Sequence, residues 1–196
     1  MSQHDRYISP FSTRYASDEM QYIFSDDNKF RTWRRLWVAL ARAEMKQGLT
    51  NITPEMVAEL EAHVDDINYD VAIAREKLVR HDVMSHVYAY GVQCPEAKGI
   101  IHLGATSCYV TDNADLILYR DGLRYLRGQL LAVMKNLSAF AGIPFEQALP
   151  AATSVPARMW RLDGVTGSLR VGLRADMLLL DERGGIDRVY AAGELI

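Results

Sequence analysis

Cysteine is scarce: Cys94 and Cys108 are the only two in 196 residues. Neither has a partner at metal-ligand spacing, so two reduced thiols are expected rather than a disulfide framework or a zinc site. An excess of either charge is also lacking. The chain has 22 Lys and Arg against 25 Asp and Glu, a net charge of −3, which gives no electrostatic footprint for nucleic acid or an anionic membrane. No run approaches the ~18 apolar residues of a membrane span. The polar stretch Met1 to Pro10 lacks the apolar core of a secretory signal. Internal repeats and low-complexity segments are absent. What is present, 49% apolar and 24% charged residues, is an ordinary globular balance for one or two domains. A soluble cytoplasmic protein is the expectation.

Up to about Ala141 the pattern is helical. Ser25 followed by Asp26 and Asp27 reads as a helix start, with acidic residues at the positive end of the dipole. Phe30, Trp33, Trp37, Leu40 and Ala43 then recur at three- and four-residue spacing and mark one buried stripe. Gly48 is the expected stop. Thr53 and Pro54 form a cap with proline at the first helical position, opening a helix to about Val64. Further helices are expected over about 69–78 and 82–90, with Gly91 and Pro95 interrupting. From Thr106 a very long helix begins, in which Tyr119, Leu123, Leu126, Leu130, Val133, Leu137 and Phe140 step by three or four. Roughly 35 residues make ~50 Å, too long for a small domain to cover, so it is expected to join a bundle between subunits. The alternative is two helices broken at Gly122.

After Gly142 and Pro144 the composition changes. Pro150 and Pro156 allow only short turns between Glu146 and Leu162. Gly167–Val171, Ala175–Leu180 and Ile186–Ala192 read as short strands separated by glycines. The fold class is therefore mainly α, a helical region over 1–141 with one very long helix, followed by a strand-rich tail over 142–196. Three strands alone are too few for a stable sandwich.

Chemistry-bearing residues concentrate in two places. In Arg80-His81-Asp82-Val83-Met84-Ser85-His86 the two histidines are about 140° apart on a helix, so they do not converge on one ligand. Asp82 and His86, four apart, share a face. In His102-Leu103-Gly104-Ala105-Thr106-Ser107, Gly104 permits a tight turn and Thr106 or Ser107 sits where the long helix starts. Free N–H groups with two hydroxyls there suit a carboxylate or phosphate, and plain N-capping explains the same residues equally well. A third, weaker candidate is the polar loop Ser9–Tyr15 with its Arg14.

The stretches SPFSTRYAS, FSDDNKFRTWRRLW, RHDVMSHV and GIIHLGATSCYVTDN, in this order over about residues 8–141, resemble adenylosuccinate lyase of the fumarase/aspartase superfamily. The resemblance implies a homotetramer built on a central helical bundle, assembled through the long helix. It implies release of fumarate from adenylosuccinate to give AMP; no cofactor is expected, and His81 and His86 lack the spacing of a zinc site, so no metal is expected either. By the same resemblance Arg14 and Tyr15 hold the nucleotide phosphate, and Arg80, His81 and Asp82 lie in the substrate pocket, with His81 supporting the general acid. His102 belongs to the family's first signature, and Thr106 and Ser107 bind a succinyl carboxylate.

Two parts of the family pattern are missing. After the long helix the chain runs GIPFEQALPAATSVPARMWRLDG, without the Thr-His segment that supplies the family's general acid. The flexible loop carrying its catalytic serine is absent as well. The tail over about 146–196, with GSLRVGLRADMLLLD as its telling part, instead resembles the C-terminal end of an amidohydrolase of the N-acetylglucosamine-6-phosphate deacetylase type. That part is a structural β-sandwich element without the barrel's metal ligands. The junction near Ala141–Gly142 suggests a fusion of two partial genes, a rearrangement, an error of sequence assembly or a deliberate joining, and the sequence does not choose among them. The expectation is thus an incomplete lyase, inactive alone; the alternatives are a non-catalytic helical module that binds nucleotide or helical partners, and an amidohydrolase fragment.

Overall fold

A computed structural model describes residues 9–49 and 51–196. The chain divides into two compact units, the first ending at Leu123 and the second spanning Arg124–Ile196.

In the first unit a π-helical turn, Phe11–Tyr15, precedes helices α1 (Asp18–Ile23), α2 (Asp26–Lys46), α3 (Pro54–Ala62), α4 (Tyr69–Val79) and α5 (Asp82–Gln93), and α6 (Ser107–Ala141) begins. Local chemistry sets the boundaries. Ser17, Ser25, Thr53 and Asn68 each accept the backbone N–H three residues on, satisfying an otherwise orphaned donor at a helix start. At the far end of α2, Leu49 N–H donates to Glu44 O and Gly48 N–H to Met45 O, with Gly48 at φ +94°. These paired bonds are a Schellman stop, which favours glycine at that position.

The core of this unit gathers Trp33, Trp37 and Ala41 of α2, Leu60 of α3, Val83 and Tyr90 of α5, and Val110 and Ala114 of α6. The α2 stripe differs from expectation at its end. Leu40 is only half-buried and Ala43 is exposed, while Val38 and Ala41 are buried. Stepping by four from Trp37 follows the core-facing side more closely than stepping by three does.

Arg34 is buried in the same core. One guanidinium nitrogen donates to His63 O and another to Gln93 Oε1 at 2.7 Å, and the group lies 4.2 Å from the centre of the Tyr90 ring. It thereby fastens α2 to the end of α3 and to α5, with its charge satisfied by oxygen acceptors and an aromatic face. The helix α5 continues through Gly91 to Gln93 rather than ending near Tyr90. Gly91 is needed for a close approach, because a Cβ there would lie 3.0 Å from Lys98 Cβ.

The long helix is unbroken at Gly122, so the two-helix alternative is excluded. Gly122 has a packing reason: a Cβ would come within 2.9 Å of the Phe24 ring, which also lies 6.1 Å from the Tyr119 ring. The α6 residues of the expected stripe are exposed, among them Leu123, Leu130 at 61%, Val133 and Phe140. With Leu116 they fall at 116, 119, 123, 126, 130, 133, 137 and 140. This alternation of three and four is the 3.5-residue period of a coiled-coil seam.

In the second unit α6 ends at Ala141, followed by Gly142 at φ +64°, and then come α7 (Phe145–Ala148), a 3-10 turn Leu149–Ala152 and α8 (Ser154–Met159). Three antiparallel strands, β1 (Met177–Leu180), β2 (Ile186–Ala191) and β3 (Glu194–Leu195), form a meander in chain order. Met177 pairs with Tyr190 and Leu179 with Arg188, and a bulge follows Leu179. Asp181 Oδ1 ties the first hairpin by accepting from Arg183 N–H and Gly185 N–H at 2.8 and 2.7 Å. Ala192 and Gly193, both at positive φ, make the two-residue turn into β3.

The strand expected over Gly167–Val171 is a loop instead. Gly167 and Gly172 both sit near φ +90°, and Arg174 N–H returns to Val165 O, folding the segment onto itself. The third strand is the short Glu194–Leu195.

Candidate functional site

Two backbone irregularities bring the histidine-bearing segments together. Arg80 and His102 both have left-handed backbones, at φ +53° and +65°, a conformation that disfavours any residue with a side chain. The turn at Arg80 ends α4 and starts α5 at once. His81 then takes the N-cap position of α5, its Nδ1 accepting Met84 N–H at 3.4 Å while its carbonyl accepts Ser85 Oγ–H at 2.6 Å. The loop from 94 to 106 is anchored by Ala97 N–H to Glu59 Oε2, 2.8 Å, and Tyr109 Oη–H to Leu36 O, 2.9 Å, fixes the first turn of α6 against α2.

As a result His81 Nε2 and Ser107 Oγ are 3.4 Å apart. Because Nδ1 of His81 accepts a backbone N–H, the neutral ring carries its proton on Nε2, facing the serine. Protonation would turn Nδ1 into a donor, and Asp82 Oδ1 lies 3.6 Å from it. Asp82 Oδ1 also accepts its neighbour Val83 N–H at 2.7 Å.

His102 belongs to the same neighbourhood. Its Nδ1 accepts the Trp37 indole N–H at 3.0 Å, and the two rings meet edge to face. Burial holds its protonation below the usual imidazole range, and the nearby His81 adds to the effect. Gly104, at φ +64°, makes the turn between His102 and the helix. Thr106 precedes the first residue of α6 and is exposed.

Arg14, Tyr15 and Arg80 are exposed. Arg14 and Tyr15 sit on the turn Phe11–Tyr15, where the described contact is between Tyr15 and Phe11, ring centres 6.3 Å apart. His86 does not share in the site. It is stacked on Phe30 at 3.7 Å between ring centres, and burial, helped by Arg34, lowers its pKa to about 4. It is a neutral core histidine rather than a partner of Asp82. Beside His81 an apolar groove of about 710 Å³ lies between α4 and α5, floored by Val79, Met84, Tyr88 and Val92 and carrying Arg75 and Lys98. No group of three or more metal-type ligands occurs among the described residues.

Trp37 was not legible as a site residue, since 65 positions separate it from His102. The only hint was its place in a tryptophan-rich helix. The arrangement offers N–H and O–H donors at a helix start beside two imidazoles, which suits an anionic ligand and proton transfer.

The chain is thus a helical region with a candidate anion-binding site, followed in sequence by a small three-stranded sheet. The model of the Amidohydrolase family matches residues 39–196, and by that match the chain belongs to the amidohydrolase family. Over about seven tenths of its length it is also similar to adenylosuccinate lyases. It is 50% identical over 143 residues to the enzyme of Saccharomyces cerevisiae, 48% over 143 to that of Schizosaccharomyces pombe and 42% over 142 to that of Caenorhabditis briggsae. Each of these alignments covers 72% of this chain and 30% of the lyase. The two likenesses overlap, and the family match starts well before the expected position near residue 146. Residues 39–141 contain no strand among those described, and every strand lies within 177–195. The family match thus takes in most of the helices as well as every described strand. No helix is long and apolar enough to cross a membrane among the described residues.

Proposed function

We propose that the chain carries one part of an adenylosuccinate lyase site, able to bind the substrate or its products, AMP and fumarate, but not to complete the reaction alone. The observation that carries this reading is the meeting of His81 Nε2 with Ser107 Oγ at the start of α6, beside His102. β-Elimination removes a proton next to a carboxylate, so negative charge grows on that carboxylate's oxygens. Donors fixed in advance by Thr106, Ser107 and the first N–H groups of α6 stabilise this charge without reorganising. Arg80, His81 and Asp82 line the pocket, His81 supporting the acid that protonates the departing nitrogen, and Arg14 and Tyr15 hold the phosphate. These 196 residues contain neither the family's acid-bearing Thr-His segment nor its serine loop.

The exposed heptad seam of α6 supports assembly through that helix with copies of the chain or with related helices, as an exposed apolar stripe of this length requires a partner. In this reading residues 1–141 are of lyase origin, 142–196 are a joined amidohydrolase-type element, and the protein works in the cytoplasm.

Fumarate release from adenylosuccinate tests the proposal. The chain alone is expected to give none. Mixed with a full-length lyase disabled at its equivalent of His81, it is expected to restore some activity by completing mixed sites. Turnover by the chain alone would overturn the reading of an incomplete site, and silence in every mixture would reduce it to a binding module.

A further inference from the structure

We propose that Trp37 is a positioning residue for His102, fixing that imidazole as the Nε2–H tautomer so that it presents a neutral N–H donor. The indole has a single polar atom, a donor without acceptor capacity. Its Nε1 lies 3.0 Å from His102 Nδ1, so this ring nitrogen must be the acceptor and the proton must sit on Nε2. Trp37 itself is almost completely buried, flanked by Trp33 and Tyr90 at ring-centre distances of 6.2 and 6.1 Å, and has no room to turn its N–H elsewhere. A partner on the far side of the ring is therefore chosen deep in the hydrophobic core.

The backbone reinforces the choice. His102 is held at φ +65°, a strained conformation for a β-carbon-bearing residue, which aims the ring at α2 instead of into the loop. Among the described residues no hydrogen-bond partner meets Nε2, which leaves that N–H for a ligand atom. The charged groups nearest to this turn are His81, which opposes a second positive charge, and Glu44 on α2, whose Oε1 would lie 3.7 Å from a β-carbon at Gly104. Burial points the same way, toward the neutral ring.

His81 repeats the arrangement in weaker form. Its Nδ1 accepts a backbone N–H at 3.4 Å, and its ring is exposed. The two imidazoles thus differ: His102 is locked as a donor by an indole, and His81 is capped by a backbone N–H alone. The ligand atom this assigns to His102 is an oxygen acceptor, a carboxylate or phosphate oxygen. That last step rests on the reading of the site given under Proposed function; the tautomer itself does not.

Nitrogen-15-labelled histidine in the intact chain, read by long-range proton–nitrogen correlation, distinguishes the two tautomers directly. His102→Gln assigns the signals. The expected result is a single Nε2–H tautomer for His102 in mildly acidic and mildly basic solution. Trp37→Phe keeps an aromatic ring in the core but removes the donor. It should give a mixture of tautomers at His102 and a roughly tenfold rise in its proton affinity, with the His81 signals unmoved. An Nδ1–H tautomer in the unsubstituted chain would overturn the proposal even if the variant failed to fold, and so would an unchanged His102 pattern in a folded variant. Adenylosuccinate titrated into the unsubstituted chain tests the ligand reading separately. Absence of binding with the tautomer confirmed would fault the site assignment alone.

Discussion

The two units of this chain are built in opposite ways. The first packs three large aromatic side chains and one arginine into an enclosed core, with Trp33 fully buried and Arg34 satisfied by oxygens from two other elements. The second leaves Leu169, Val171, Trp160 and Met159 largely exposed and holds together by short turns, a three-stranded meander and the Asp176 carboxylate. Asp176 accepts from Arg174, Thr166 and Ala192, and its protonation is driven down mainly by the arginine. A unit that fills its own core is stabilised by burial, whereas one with an open sheet face depends on local hydrogen bonds. The candidate site lies in the first kind, where a rigid core can hold strained backbones at Arg80 and His102.

Substitution should expose this contrast most sharply in the core. Trp33→Ala is expected to destabilise the first unit by about 3–5 kcal/mol, and Leu179→Ala in β1 to change stability by less than about 1 kcal/mol. Chemical denaturation followed at probes in each unit checks both values. Equal effects, or one shared steep transition, would mean that the units are not independent.

Acid should act next, and through His86 on the first unit. His86 has its pKa lowered from 6.5 to about 4, so its neutral form is the one the fold prefers. Between those values the unfolded chain binds a proton that the folded chain refuses. Stability is therefore complete above the unfolded value and is lost as pH falls through this window, by about 3 kcal/mol in total. The denaturation midpoint of the first unit should drop over that range, and His86→Phe should flatten the drop.

Much of the fold was legible from residue pattern. The caps at Ser25 and Thr53, the stop at Gly48 and the uninterrupted α6 follow from local chemistry that acts over three or four residues. Most of β1 and β2 could be read because glycines bracket apolar runs. Gly167–Val171 has the same local signature, yet tertiary hydrogen bonding turned it into a loop. The burial of Arg34 and His86 was not legible, because the oxygens and rings that compensate them arrive from other helices. Neither were the left-handed turns at Arg80 and His102, since neither residue type announces that conformation. The site was read as two clusters; that Ser107 faces His81, and that an indole in α2 holds His102, are facts of tertiary packing.

The seam on α6 sharpens the comparison in a different way, because it runs from the first unit into the second. Leu126→Glu combined with Leu130→Glu should convert a self-associated chain to monomer in sedimentation velocity. A monomer before substitution would remove the argument for assembly through this helix.

The smallest effect expected separates two glycines in the same helix. Gly128 meets nothing within 4 Å, so Gly128→Ala should stabilise by up to about 1 kcal/mol through helix propensity. Gly122→Ala should lose that gain, since the new methyl meets the Phe24 ring at 2.9 Å. Equal gains at both would show that Phe24 does not pack on α6 as described.

The central claim is that the start of α6, with His81 and His102, receives the anionic groups of adenylosuccinate. It is tested most directly by titrating that compound into the nitrogen-15-labelled chain and following backbone and histidine signals. The account predicts saturable shifts at His81, His102, Thr106 and Ser107 that are abolished in His81→Ala, without fumarate release. Shifts confined to residues after 141, or none at high ligand concentration, would contradict it.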